Sequence, residues 1–86
     1  MNVQIRAKDV NLNAQTKEHI EVAIEAFKKY QLDITTVNVN VKTQNKGVAI
    51  EFDIHIAHAE AIIISQSDEN LDAAIDLAID RATKAL

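Results

Sequence analysis

The densest group of side chains able to bind metal or move protons is His55-x-x-His58, flanked by Asp53 and Glu60. Imidazole and carboxylate are both zinc ligands, but a zinc site needs three or four of them converging at fixed geometry. The pattern around them works against convergence. Ile50, Phe52, Ile54 and Ile56 alternate with Glu51, Asp53 and His55, so Asp53 and His55 lie on a strand's polar face while His58 falls in the turn beyond. Solvated polar-face side chains are the expected state there, and no metal or other cofactor is expected. His19 stands within a helical pattern and reads as a surface residue rather than a catalytic base. There is no Ser, His and Asp order with supporting loops, and no carboxylate pair in an evident pocket, so the chain is not expected to be an enzyme. Asp72, Asp76 and Asp80 recur at every fourth position. That spacing sets them along one side of a helix, which reads as a solvated face partly paired through Asp80–Lys84 and Asp76–Arg81 contacts.

The elements that must carry these residues follow from periodicity. Val3, Ile5 and Ala7 alternate with Gln4, Arg6 and Lys8, which predicts a strand over about residues 2–7 with one face buried. Asn13 is placed to cap a helix running to about Tyr30, whose core stripe is Thr16, Ile20, Ala23, Ile24 and Phe27. Val37, Val39 and Val41 mark a second strand, and Val48 to Ala57 a third. Asn45-Lys46-Gly47 between them reads as a turn in which Asn and Gly tolerate positive φ. Ala61 to Ser65 forms a fourth strand, whose run of Ile62, Ile63 and Ile64 hides its buried face. Ser67 or Asp68 is expected to cap a last helix with Leu71, Ala74, Ile75, Ala78, Ile79 and Ala82 inward. The connection through the first helix is long enough for a right-handed parallel crossover, and the remaining strands are joined by short turns. The prediction is a single α+β domain over residues 1–86, βαβββα. Its four-stranded mixed sheet has order 1-2-3-4, with both helices on one face.

Composition narrows the function. The chain has no Cys and one glycine, Gly47, which excludes disulfide chemistry and Gly-rich phosphate loops. No apolar run approaches the ~18 residues needed to span a bilayer, and the N-terminus lacks a signal-peptide layout, so a cytoplasmic location and no membrane partner are expected. The net charge of −4 argues against indiscriminate nucleic-acid binding. Its distribution is uneven. Residues 1–50 hold seven basic and five acidic side chains, and residues 51–86 hold two and eight, so any RNA-binding surface belongs mostly to the first half. Stacking of bases on sheet aromatics is disfavoured, because Phe27 and Phe52 belong to core stripes and only Tyr30 remains.

Three segments carry a resemblance. They are Val3-Gln4-Ile5 through Lys8-Asp9-Val10-Asn11-Leu12 with the helix ending Phe27-Lys28-Lys29-Tyr30, the strand Val37-Asn38-Val39-Asn40-Val41-Lys42, and the helix Leu71-Asp72-Ala73-Ala74-Ile75-Asp76-Leu77-Ala78-Ile79-Asp80-Arg81. In order and spacing the chain resembles the ribosome hibernation-promoting factor and ribosome-associated inhibitor family over nearly its whole length. The resemblance implies a stress or stationary-phase factor that binds the decoding region of the small ribosomal subunit, blocks messenger and transfer RNA sites, and silences or protects the ribosome. It implies contacts to rRNA from Lys and Arg on the helices and adjoining loops. The residues on such positions are Lys8, Lys17, Lys29, Lys42, Arg81 and Lys84. The chain departs from the family where Ala23 and Ala26 replace lysines, where Val22 replaces a charged residue and where Asp72 replaces an aromatic. A short form is expected, without the basic tail, the linker or the second dimerising domain of longer members. The alternative function is a diverged member acting as a protein-interaction module without ribosome binding. Its partner, or a second copy, would meet an apolar patch of Val22, Ala23 and Ala26.

Overall fold

Alternating strands can bury one face only, and pairing decides which residues share it. In the computed structural model, which describes residues 2–27, 33–44 and 47–85, the elements are β1 (Asn2–Lys8), α1 (Ala14–Phe27), β2 (Ile34–Gln44), β3 (Gly47–Ile56), β4 (Ile62–Asp68) and α2 (Leu71–Ala85). The sheet order is β1-β2-β3-β4. β1 and β2 are parallel across the α1 crossover, and the other two pairs are antiparallel, as the connection lengths require.

Val39 lies opposite Phe52, and Phe52 opposite Ile64. Val37, Val39, Val41, Ile50, Phe52 and Ile54 therefore make one apolar face, each at most 2% exposed. The same pairing resolves the Ile62-Ile63-Ile64 run. Ile64 is buried at 7% exposure, while Ile63 is opposite Asp53 and is 61% exposed on the other face. Both helices cover the apolar face. Ile20, Ala23, Ile24 and Phe27 of α1 and Ala74, Ile75, Ala78 and Ala82 of α2 are buried there. The rings of Phe27 and Phe52 meet edge to face with centroids 6.1 Å apart.

Helix starts follow from side-chain acceptors. Asn13 caps α1 as expected, its Oδ1 accepting the Thr16 N–H at 2.8 Å. The cap of α2 is Asn70, whose Oδ1 accepts the Ala73 N–H at 3.2 Å, rather than Ser67 or Asp68. Those two residues extend β4 instead, opposite Ala49 and Val48. Their low strand propensity is overridden because the start of β3 needs a partner. Asp68 Oδ1 accepts the Asn70 N–H just beyond. The predicted end of α1 at Lys28-Lys29-Tyr30 lies outside the described residues. Asp9 and His58 have left-handed backbone, φ 59° and 62°, which ends β1 and turns β3 into β4. Asp and His adopt this region more readily than most residues.

Two expectations change. The inward side of β1 is only partly buried: Val3 is 37% exposed and Ala7 is exposed, because β1 is a rim strand that α1 does not fully roof. Gly47 is not a positive-φ turn residue, and it opens β3. Glycine is required there by close approach, since a Cβ would stand 2.5 Å from the Asp68 carbonyl oxygen and 3.1 Å from Glu69 Cα. Both are backbone atoms, so relief requires moving β3 against β4. Gly47→Ala is expected to destabilise the protein by about 1–3 kcal/mol. Urea denaturation measures this, and an unchanged midpoint would show that the β3–β4 end yields freely.

Candidate nucleic-acid interface

The face of the sheet away from the helices is polar because every second residue of each strand points there. The parallel register sets Lys8 beside Lys42 and Arg6 beside Asn40. Neighbouring strands are about 4.8 Å apart, so the two lysine side chains rise next to each other. Like charges at adjacent positions are locally unfavourable, and a bridging anion would offset that cost. Among the described residues neither Lys8 nor Lys42 has an ion-pair or hydrogen-bond partner. Arg6 donates to Gln4 Oε1 at 3.3 Å on the same face. The next strand reverses the sign. Glu51 is opposite Asn40 and accepts from Ser65 Oγ at 3.3 Å, and Asp53 is opposite Asn38. The open face is thus basic along β1 and β2 and acidic along β3.

The remaining cationic positions are placed elsewhere. Lys17 is exposed on α1, where it lines a groove with Val3, Ile5 and Glu21. Lys29 lies outside the described residues. Arg81 does not meet Asp76. Its Nη1 donates to the Ser65 carbonyl and to Gln66 Oε1, fixing α2 to β4. Lys84 pairs with Asp80 at 3.1 Å, as its i, i+4 spacing suggests. The fold therefore brings Lys8 and Lys42 together, leaves Lys17 on the helical side, and engages Arg81 and Lys84 within the chain. Arg6 joins the basic strip. Its alternation with Gln4 and Lys8 puts all three on one face, a signal the sequence carried without indicating the register against the second strand.

The acidic stripe of α2 is more than a solvated face. His19 of α1 stands between Asp72 and Asp76, with Nε2 2.8 Å from Asp76 Oδ1 and Nδ1 3.5 Å from Asp72 Oδ1. Carboxylates only accept, so the doubly protonated ring is the form that donates to both. The partners are separated by more than fifty residues, and no local pattern reveals such a contact. On the other face His55 Nε2 is 3.2 Å from Asp53 Oδ2, while His58 occupies its left-handed turn position. Among the described residues no three His, Cys, Asp or Glu side chains converge as metal ligands.

The apolar patch expected on α1 is reduced. Val22 is 61% exposed and Ala26 is half-buried, but Ala23 is 7% exposed and faces the core. Ala23 had two competing places in the helical pattern, and packing settles it inward.

A family model described as "Sigma 54 modulation protein / S30EA ribosomal protein" matches residues 3–86. The chain belongs to this family. The S30EA match spans all six elements, from β1 through α2. Among solved structures, the Protein Y N-terminal domain of Thermus thermophilus superposes with a TM-score of 0.86 at 21% identity, covering 99% of this chain and 94% of that one. A ribosomal subunit interface protein from Coxiella burnetii superposes with a TM-score of 0.84 at 11% identity, covering 100% and 93%. At such identities the likeness establishes the shared fold. No curated protein matches the sequence. Among the described residues of this S30EA-family chain, no helix is long and apolar enough to cross a membrane.

Proposed function

We propose that this protein is a cytoplasmic, non-enzymatic factor that binds the small ribosomal subunit through rRNA phosphates and inhibits or protects the translation machinery under stress. Family membership supports a ribosomal role, and so does a structural neighbour that is itself a ribosomal subunit interface protein. The observation that carries the reading is the juxtaposition of Lys8 and Lys42, unpaired among the described residues, with Arg6 on the same face. Phosphate contacts supply most sequence-independent affinity for RNA, and adjacent lysines suit a polyanion. Lys17 would add a contact from the helical side. Arg81 and Lys84 contribute less, since each already has an internal partner.

Co-sedimentation with purified small subunits across a salt series tests this. Binding is expected at low salt and should fall steeply as salt rises. Absence of wild-type protein from the subunit fraction at low salt would sink the ribosomal reading and leave the family fold intact. The protein-interaction alternative is weaker, because removing Ala23 from the surface leaves Val22 with only part of Ala26 as an apolar contact.

A further inference from the structure

Among the described residues β1 is hydrogen-bonded to β2 alone, so the outer side of its backbone has no strand partner. Unpaired strand edges are templates for another strand. α1 leaves this edge open: a groove between the two elements is lined by Val3, Ile5, Lys17, Glu21, Ile24 and Glu25, and Val3 is 37% exposed. The opposite rim differs, since β4 lies against α2 and Arg81 holds the Ser65 carbonyl.

We propose that a second copy of this chain docks here, β1 against β1, antiparallel about a two-fold axis at Ile5. The inference is independent of ribosome binding. Register singles out that axis. Centring on Ile5 pairs every residue of Asn2–Lys8: Ile5 with itself, Gln4 with Arg6, Val3 with Ala7 and Asn2 with Lys8. No two cations are then directly opposite, and each Arg6 guanidinium meets a Gln4 amide. Centring on Arg6 would oppose two guanidinium groups, and centring on Gln4 would leave Ala7 and Lys8 unpaired. The helices complement this pairing. Lys17 and Glu21 lie one turn apart on α1 and both line the groove. A two-fold axis reverses the order of the groove's charges, so each Lys17 is brought toward the second copy's acidic Glu21 and Glu25. The apolar groove floor is covered at the same time. This moves self-association from the exposed side of α1, where Val22 stands, to the sheet edge.

An interface of one strand and one helix per copy is small, so the dimer should be weak and concentration-dependent. Sedimentation equilibrium of the full chain, up to about 1 mM, is expected to show a monomer–dimer equilibrium. Lys17→Glu should weaken it by roughly tenfold or more, since two attractions become two repulsions. The swap Lys17→Glu/Glu21→Lys should restore it to within about threefold. A second test uses the absence of cysteine from the chain. Ile5→Cys would place two thiols across the axis within disulfide reach, so mild oxidation should give a covalent dimer. Val22→Cys, more exposed than Ile5 but on α1 away from the groove, should nonetheless cross-link far more slowly. A chain that stays monomeric throughout, a swap that fails to rescue, or equal cross-linking of the two cysteine variants would overturn the proposal. So would pairing only with a strand from a different protein.

Discussion

Replacing Phe52 with alanine is expected to destabilise the protein by about 3–5 kcal/mol, much of what a domain of this size has. Phe52 is fully buried at the centre of β3. It lies opposite Val39 on one side and Ile64 on the other, and its ring receives Phe27 from α1. Truncation removes a large apolar surface and opens a cavity bounded by two strands and a helix. None of these can collapse inward without breaking sheet register or lifting α1. Alanine at the exposed Ile63 of β4 is a useful contrast, because that side chain is on the open face and makes no comparable core contact. Equilibrium urea denaturation of both variants provides the measurement. A cost below about 1 kcal/mol for Phe52→Ala would mean the core has some other centre.

The second large effect concerns the basic strip. In Lys8→Ala/Lys42→Ala, ribosome affinity is expected to fall sharply at low salt. The slope of log K against log salt should become shallower by up to about 1.8, taking about 0.9 per phosphate contact from duplex DNA as a guide. Both lysines are on the open face of a rim pair, exposed and without partners among the described residues, so folding stability should barely change. Lys84→Ala serves as control. Lys84 is engaged with Asp80, so its loss should change the slope much less. Co-sedimentation at graded salt reads both quantities together. An unchanged slope in the double variant, with wild type still binding, would move the RNA contact off the sheet face and toward Lys17 and the helical side.

Most of the architecture was legible because local patterns and global packing agree. The alternation of Val37–Val41 and Ile50–Ile56 defined two strands and their apolar faces. The stripes Ile20–Phe27 and Ala74–Ala82 defined two helices that must bury one side, and connection lengths then required one parallel and two antiparallel pairings. Departures arose where propensity and context disagree. Ser67 and Asp68 look like helix-capping residues, yet pairing with Val48 and Ala49 draws them into β4 and passes the cap to Asn70. Gly47 looks like a turn glycine, yet it is the nearby Asp68–Glu69 backbone that leaves no room for a Cβ.

Local pattern in the chain already specified the elements, their order and the apolar faces of the central strands, and three segments carried the family resemblance. The elements and faces rest on periods of two and of three to four residues, on the Asn13 cap and on loop lengths, all properties of neighbouring residues, whereas the family rests on the resemblance of whole segments. Which charged groups act together emerges from long-range packing. Register placed Lys8 beside Lys42, although the two are 34 positions apart. Helix packing set His19 between Asp72 and Asp76 and turned Arg81 away from Asp76 onto the Ser65 carbonyl. It also moved Ala23 from a candidate surface patch into the core. The physical reason is common to all of these. A hydrophobic pattern specifies which face is buried, whereas electrostatic neighbours are set by strand register and helix placement, which depend on contacts between residues far apart in the chain.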